Sequence, residues 1–265
     1  MTEETKAAAE PREPGAAGTR AAEGTIEIDA PPERVWRALT EAAELERWFP
    51  LEARVEPGEG GSIWMSWKNE WAGESEILAW DPARRLRISW GWPDATGHAQ
   101  VTDYLLEGRG GRTLLRVVTS GFPLDPSWDD WVEGTRRGWR FELESLKHYL
   151  ERHAGEDRQV IYLRRRVRLP REEVWARIFG PGGLDARSLG GKPFDDEPPL
   201  QYAVVVDDPP DALLRVSNEP CYLGADGRDI TLWLTAWGGH ERRLAEIEAE
   251  WSRLLARLYP EGEAP

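Results

Sequence analysis

The chain carries few residues able to do acid–base, nucleophilic or metal chemistry, and many able to stack. Of 265 residues, four are histidine, one is cysteine and fifteen are tryptophan. His98 follows a glycine in an expected turn. His148 lies off the apolar stripe of a long helical pattern, His153 ends that pattern, and His240 opens the last one. No His-x-x-x-His or His-Glu-x-x-His spacing occurs and Cys221 stands alone, so no zinc site and no metal ligands are expected. The pairs Asp129–Asp130, Asp195–Asp196 and Asp207–Asp208 fall in or beside proline-rich loops, without the further oxygen ligands of a calcium loop. Gly180–Gly183 lacks the Lys-Ser/Thr of a phosphate loop, and no Gly-x-Ser-x-Gly elbow occurs. With no nucleophile–base pair in view, no catalytic residue is assigned and no cofactor is expected. Asp103, in Val-Thr-Asp-Tyr-Leu-Leu-Glu, is the carboxylate to watch. Turned inward among indoles it would have a raised pKa and could act as a base or orient a ligand hydroxyl; shifted by one residue it would lie in water.

Stacking is the other chemistry. Each indole brings a large apolar area and one N–H that wants a partner. Eleven of the fifteen tryptophans precede residue 150 (Trp36, Trp48, Trp64, Trp67, Trp71, Trp80, Trp90, Trp92, Trp128, Trp131 and Trp139). So dense a set builds either a thick core or the lining of a hollow.

The elements that would position these groups can be read from periodicity. Residues 1–23 are rich in Ala, Glu, Gly and Pro without a period and are expected to be a disordered tail. Thr25–Asp29 alternates as a strand, and Pro31–Pro32 opens a helix that puts Val35, Trp36 and Leu39 on one face. Six alternating runs follow: Leu51–Val55, Ser62–Lys68, Gly73–Trp80, Leu86–Trp92, Ala99–Leu106 and Thr113–Thr119. The turns between them are too short for parallel crossovers, so the sheet is expected to be an antiparallel meander. After Pro126, Trp128, Trp131, Thr135, Trp139, Leu143, Leu146 and Leu150 form one stripe of a long helix.

The second half repeats this order in shortened form. Arg165–Phe179 mirrors Ile26–Thr40 and aligns Trp175 with Trp36. Strands are expected at Gln201–Val206, Ala212–Ser217 and Asp229–Trp237, with a hairpin turn at Ala225–Gly227. A closing helix carries Leu244, Ile247, Trp251, Leu254 and Leu258. The pattern is that of an internal duplication: one domain at 24–153, a shorter copy at 159–260, and a boundary near 154–157.

Composition narrows the function further. The formal net charge is −14, so nucleic acid and other polyanions are not expected partners. The one basic run (Arg164, Arg165, Arg166 and Arg168) reads as an outer strand face, or else as an anchor for an acidic partner. No stretch approaches the ~18 uninterrupted apolar residues of a membrane span, and the first twenty residues do not read as a secretory signal. A cytoplasmic protein without disulfides is expected.

Three separated motifs carry a family resemblance: Ala30–Phe49 (APPERVWRALTEAAELERWF), Ser120–Phe122 (SGF) and Gly138–Glu151 (GWRFELESLKHYLE). The chain resembles the START-like SRPBCC superfamily, in the branch named after the activator of the heat-shock protein 90 ATPase. The resemblance spans Gly24 to about His153 and is weaker over Gln159–Tyr259. It implies an α+β fold of two helix-grip domains, each a curved antiparallel sheet around a long C-terminal helix, the second reduced. It also implies a cavity lined by Trp64 or Trp67, Ile77, Trp90, Trp92, Leu115, Val117, Thr119, Trp131, Thr135 and Trp139. In the same facing Val101, Asp103 and Leu105 point inward, while Thr102 and Tyr104 point outward. Members of this branch often carry a histidine in the strand before the Gly-Phe; here that position is Thr119, so the acid–base chemistry such a histidine would support is not implied for this chain. The function expected is binding or sequestration of a hydrophobic or aromatic small molecule. A co-chaperone-like role in the stress response is the alternative, with a protein partner or a homodimer. A cyclase- or hydrolase-type enzyme using Asp103 or His98 in the same cavity is the third reading.

Overall fold

A computed structural model describes residues 19–67, 71–93, 99–184, 191–220 and 227–262, except for the side chains of residues 91–93 and 99. The Ala225–Gly227 turn lies largely outside these residues. Among them no helix is long and apolar enough to cross a membrane.

The first half runs β1 (Thr19–Ile28), α1 (Pro32–Thr40), α2 (Ala42–Leu45), β2 (Glu52–Glu56), β3 (Ser62–Ser66), β4 (Ala72–Asp81), β5 (Arg85–Pro93), β6 (Ala99–Arg109) and β7 (Arg112–Pro123). A 3-10 turn at Pro126–Trp128 then leads into α3 (Asp129–Arg152). The seven strands form one antiparallel sheet in the order β1-β7-β6-β5-β4-β3-β2. Short Gly- and Pro-containing turns leave no room for parallel crossovers, so each strand returns beside its predecessor. Only β1 pairs out of sequence, with β7.

β1 starts at Thr19, inside the stretch expected to be a disordered tail. The cause is its partner: β7 continues to Pro123 and offers its backbone to Thr19–Ala22. Arg20 then fastens the strand end, donating to the carbonyls of Pro123 and Asp125 at 3.0 Å and pairing with Asp129.

The second half runs β8 (Arg158–Val167), α4 (Arg171–Phe179), β9 (Pro193–Glu197), β10 (Gln201–Asp207), β11 (Pro210–Pro220), β12 (Arg228–Trp237) and α5 (Glu241–Leu258). Its five-stranded antiparallel sheet has the order β8-β12-β11-β10-β9. The wiring repeats that of the first sheet, since the opening strand again pairs with the last. α4 and α5 bury Val174, Ile178, Leu244, Ile247, Trp251 and Leu255 in a core with Val204, Leu214, Ile230 and Leu232. Burial of such side chains contributes on the order of 2 kcal/mol each.

By packing the chain divides into two compact units, one formed by Met1–Ala42 with Pro50–Arg136 and the other by Ala43–Phe49 with Arg137–Pro265. α3 thus gives its first turns to one unit and the rest to the other.

Candidate functional site

Cross-strand partners share a face, so the register sorts every residue of the first sheet. The pairs Ile88↔Thr102, Thr102↔Thr119 and Thr119↔Ala22 put these residues on one side. Tyr104↔Val117 and Leu106↔Leu115 join them. Ile77↔Ile88 and Met65↔Gly73 extend the same face into β3 and β4. Ile77, Leu115, Val117 and Thr119 are buried on this face. The strand positions on this inner face carry no carboxylate, imidazole or amine among the described residues.

Asp103 is on the other face, a correction to the inward reading. It pairs across the sheet with Arg87. It accepts from Arg85 Nε at 2.8 Å and Nη2 at 2.7 Å, with Arg87 Nε 3.6 Å from its other oxygen. Two guanidiniums hold this carboxylate, not indoles, and it is no base in an apolar hollow. Thr102 and Tyr104 turn inward instead. The outer face is ionic along its length, for Arg112 meets Glu27 and Arg116 meets Glu23 on neighbouring strands. Trp64 also lies outward, pairing with Arg54, whose guanidinium sits 4.3 Å above the ring.

Three indoles gather at one end of the inner face. Trp67 and Trp71 have ring centroids 5.3 Å apart, and Trp71 and Trp90 5.9 Å apart. Gly73 makes this possible, because a Cβ there would lie 2.5 Å from Trp71 Cζ2. Trp90 Nε1 donates to Thr102 Oγ1 at 2.7 Å, and Thr102 Oγ1 and Thr119 Oγ1 share a hydrogen bond of 2.8 Å. Aromatic rings thus adjoin a pair of buried hydroxyls on the same face. Tilted rings of this kind attract other aromatic faces and edges, and hydroxyls give orientation. The side chain of Trp92 and the whole of His98 lie outside the described residues. Sequence reasoning missed Trp71, whose signal was its place between Trp67 and Gly73.

The remaining candidates lie elsewhere. Trp131 is 36% exposed and tilts against Trp128, which packs with Phe122, Ala22 and Val132. Thr135 Oγ1 donates to the Trp131 carbonyl, a local helix bond that engages its hydroxyl. Trp139 belongs to the second unit and stacks on Phe49 at 5.7 Å.

The second unit holds two groupings of its own that no sequence motif marks. Burial pushes the Glu142 carboxyl up to about 7, although Arg215 and Arg158 pull it down. Burial likewise lowers Arg158 to about 10, against Glu142 and Glu46. Separately, His148, His153 and Asp211 converge beside Trp237. Desolvation lowers the His148 pKa from its ordinary value, against the Asp211 carbonyl and carboxylate, which raise it.

A strand–helix opening, an antiparallel meander and a long helix define an α+β protein of the helix-grip class. Residues 29–151, a little under half of the chain, match the family described as activator of Hsp90 ATPase homolog 1-like protein, and this part of the chain is similar to that family. Among solved structures, protein MLL2253 from Mesorhizobium loti is 29% identical over 51% of this chain and 98% of its own, with a TM-score of 0.44. The Aha1 dimer from Colwellia psychrerythraea is 20% identical over 51% of this chain and 99% of its own, at 0.47. DynU16, a putative protein in the dynemicin biosynthetic locus, is 20% identical over 91% of this chain and 98% of its own, at 0.44. No significant match is found among curated proteins.

Proposed function

We propose that the protein binds and sequesters a flat hydrophobic or aromatic small molecule on the inner face of its first sheet, without transforming it. The observation that carries this reading is the run from Trp67 through Trp71 and Trp90 to the Thr102–Thr119 hydroxyl pair. The ligand's ring would lie against the indoles, with a polar edge toward the hydroxyls. Ile77, Leu115 and Val117, fully buried on the same face, would back it from the core. The absence of a carboxylate or imidazole from the described strand positions of this face favours binding over catalysis. We also read 24–153 and 159–260 as two START-like copies, the second reduced. The shared wiring of the two sheets supports that reading.

The test uses the full chain and a panel of planar aromatic compounds, read by tryptophan emission and by native mass spectrometry of retained ligand. Saturable quenching that Trp90→Ala weakens about tenfold, roughly the worth of one stacked ring pair, supports the proposal. If no planar compound shifts the emission and none is retained, the proposal is refuted.

The description of the matching family favours a second reading, a co-chaperone that acts on an Hsp90-type ATPase through its outer surfaces. Stimulation of such an ATPase by the chain, unchanged by Trp90→Ala, would select it.

A further inference from the structure

The second unit brings together two imidazoles and a carboxylate that the proposed ligand surface does not use. His148 lies in the last turns of α3, His153 directly follows that helix, and Asp211 is the second residue of β11. His148 Nε2 lies 3.5 Å from Asp211 Oδ1, and His153 Nε2 lies 3.2 Å from Asp211 Oδ2. A tetrahedral ion with bonds of about 2.0–2.1 Å to nitrogen and oxygen separates its ligands by about 3.3–3.4 Å. Each imidazole nitrogen thus lies near that spacing from one oxygen of Asp211, and the three donors lie within 4.8 Å of one another, so small side-chain shifts would gather them around an ion.

Four further features point the same way. His153 Nε2 is buried and makes no hydrogen bond, since the nearby carboxylate oxygen lies off its donor direction. The other nitrogen of that ring, Nδ1, is 3.0 Å from Glu156 Oε2. A carboxylate behind the imidazole is the arrangement that fixes a metal-binding histidine's tautomer and aims its free nitrogen. Trp237 lies flat against the His153 ring, with centroids 4.9 Å apart and planes 8° apart, and holds it in place. Asp211 sits at φ +64°, a backbone conformation that turns its side chain toward the helix end.

We propose that His148, His153 and Asp211 form a binding site for a divalent transition-metal ion of the zinc type. Three protein ligands leave a fourth position open, and the side chains that carry the donors keep 11%, 13% and 25% of their exposure. Two imidazoles select against calcium and magnesium, which take oxygen ligands. For the ion to bind, the Nε2 proton that His148 gives to the Asp211 carbonyl at 2.8 Å must pass by way of solvent to Nδ1, so that the neutral ring presents its Nε2 lone pair. Arg152 competes for the place, because its Nε lies 2.5 Å from Asp211 Oδ2. Its side chain is 58% exposed and free of the core, so an incoming ion can displace it.

The experiment titrates the untagged full chain with zinc, and with calcium as a control, by calorimetry, and follows cobalt absorption in the visible. One zinc per chain, the intense bands of four-coordinate cobalt and no calcium binding are expected. His153→Gln and Asp211→Asn should each weaken zinc by at least about tenfold, and Arg152→Gln should tighten it. Asn tolerates φ above zero, so Asp211→Asn keeps the turn, and Arg152→Gln alters only an exposed side chain. These two variants decide the matter if His153→Gln fails to fold. The proposal is overturned if the wild-type chain shows no stoichiometric zinc binding. It is equally overturned if Asp211→Asn leaves the affinity unchanged, or if Arg152→Gln weakens it.

Discussion

Arg137 makes a sharp test of how the second unit is held together. Its side chain, on α3, is 4% exposed and donates through Nε and Nη2 to both oxygens of Glu219, each at 2.8 Å. Glu197 stands 3.8 Å away, and Glu219 itself is 13% exposed. Arg137→Met keeps most of the volume but strips the bidentate partner from a carboxylate that stays largely out of water. Breaking a buried pair from one side costs about 3–5 kcal/mol, most of it the penalty on the charge left behind. For a unit of this size that lowers its Tm by roughly 10–15 °C. Replacing both partners removes the orphaned charge, so Arg137→Met with Glu219→Met should recover most of the loss. Urea titrations at pH 7, followed by tryptophan emission and near-ultraviolet circular dichroism, measure both variants in one assay. A buried pair is little screened, so the loss should persist between about 0.05 and 0.5 M salt. A single-variant loss under about 1 kcal/mol, or a double variant as weak as the two singles added, would refute the reasoning.

Glu142 should make stability fall with rising pH. Its folded pKa of about 7 lies above its ordinary 4.5, so its contribution is complete below 4.5 and is lost as pH rises through 7. The amplitude is on the order of 3 kcal/mol, and denaturation curves of Glu142→Gln from pH 4.5 to 8 should lack that component. Asp103→Asn should leave aromatic-ligand affinity and its pH dependence unchanged, because Asp103 faces away from Thr102 and Thr119. Its partly exposed pairs with Arg85 and Arg87 limit the stability loss to about 1 kcal/mol. Gly191→Ala should cost more than about 3 kcal/mol in thermal unfolding. Its backbone has φ +95°, and an added Cβ would lie 1.5 Å from the Val205 carbonyl oxygen, so either β10 or the incoming chain must move.

The strands of the first sheet were legible because turns punctuate them and their apolar residues alternate. The face of β6 was not. Val101, Tyr104, Leu105 and Leu106 place apolar side chains on both sides, so its pattern permits either register. Pairing with Arg87 and with Val117 decides between them, and that pairing is a long-range fact. β9 escaped notice because Pro-Phe-Asp-Asp-Glu has no strand propensity; it is an edge strand, held by backbone bonds to β10. The Val-Trp helices were readable in both halves, since Pro31 and Pro170 immediately precede them. The meeting of His148, His153 and Asp211 could not be found by motif. Two histidines five apart do not share a helix face. They meet only because α3 ends at Arg152 and His153 turns back, beneath a Trp237 donated by a strand far along the chain.

The division of the chain bears on how it is made. Neither compact unit is an uninterrupted stretch, for Ala43–Phe49 is grouped with Arg137–Pro265, far downstream. Tyr149 donates to Glu44, Ser145 to the Trp48 carbonyl, Arg158 to the Phe49 carbonyl and Trp237 to the Arg47 carbonyl. A ribosome releases Trp48 and Phe49 long before Trp237 exists. Those two rings must wait in water, or in the grip of a holdase, until at least α3 with Trp139 has been made. Cutting the gene at the midpoint would leave them permanently without that shelter.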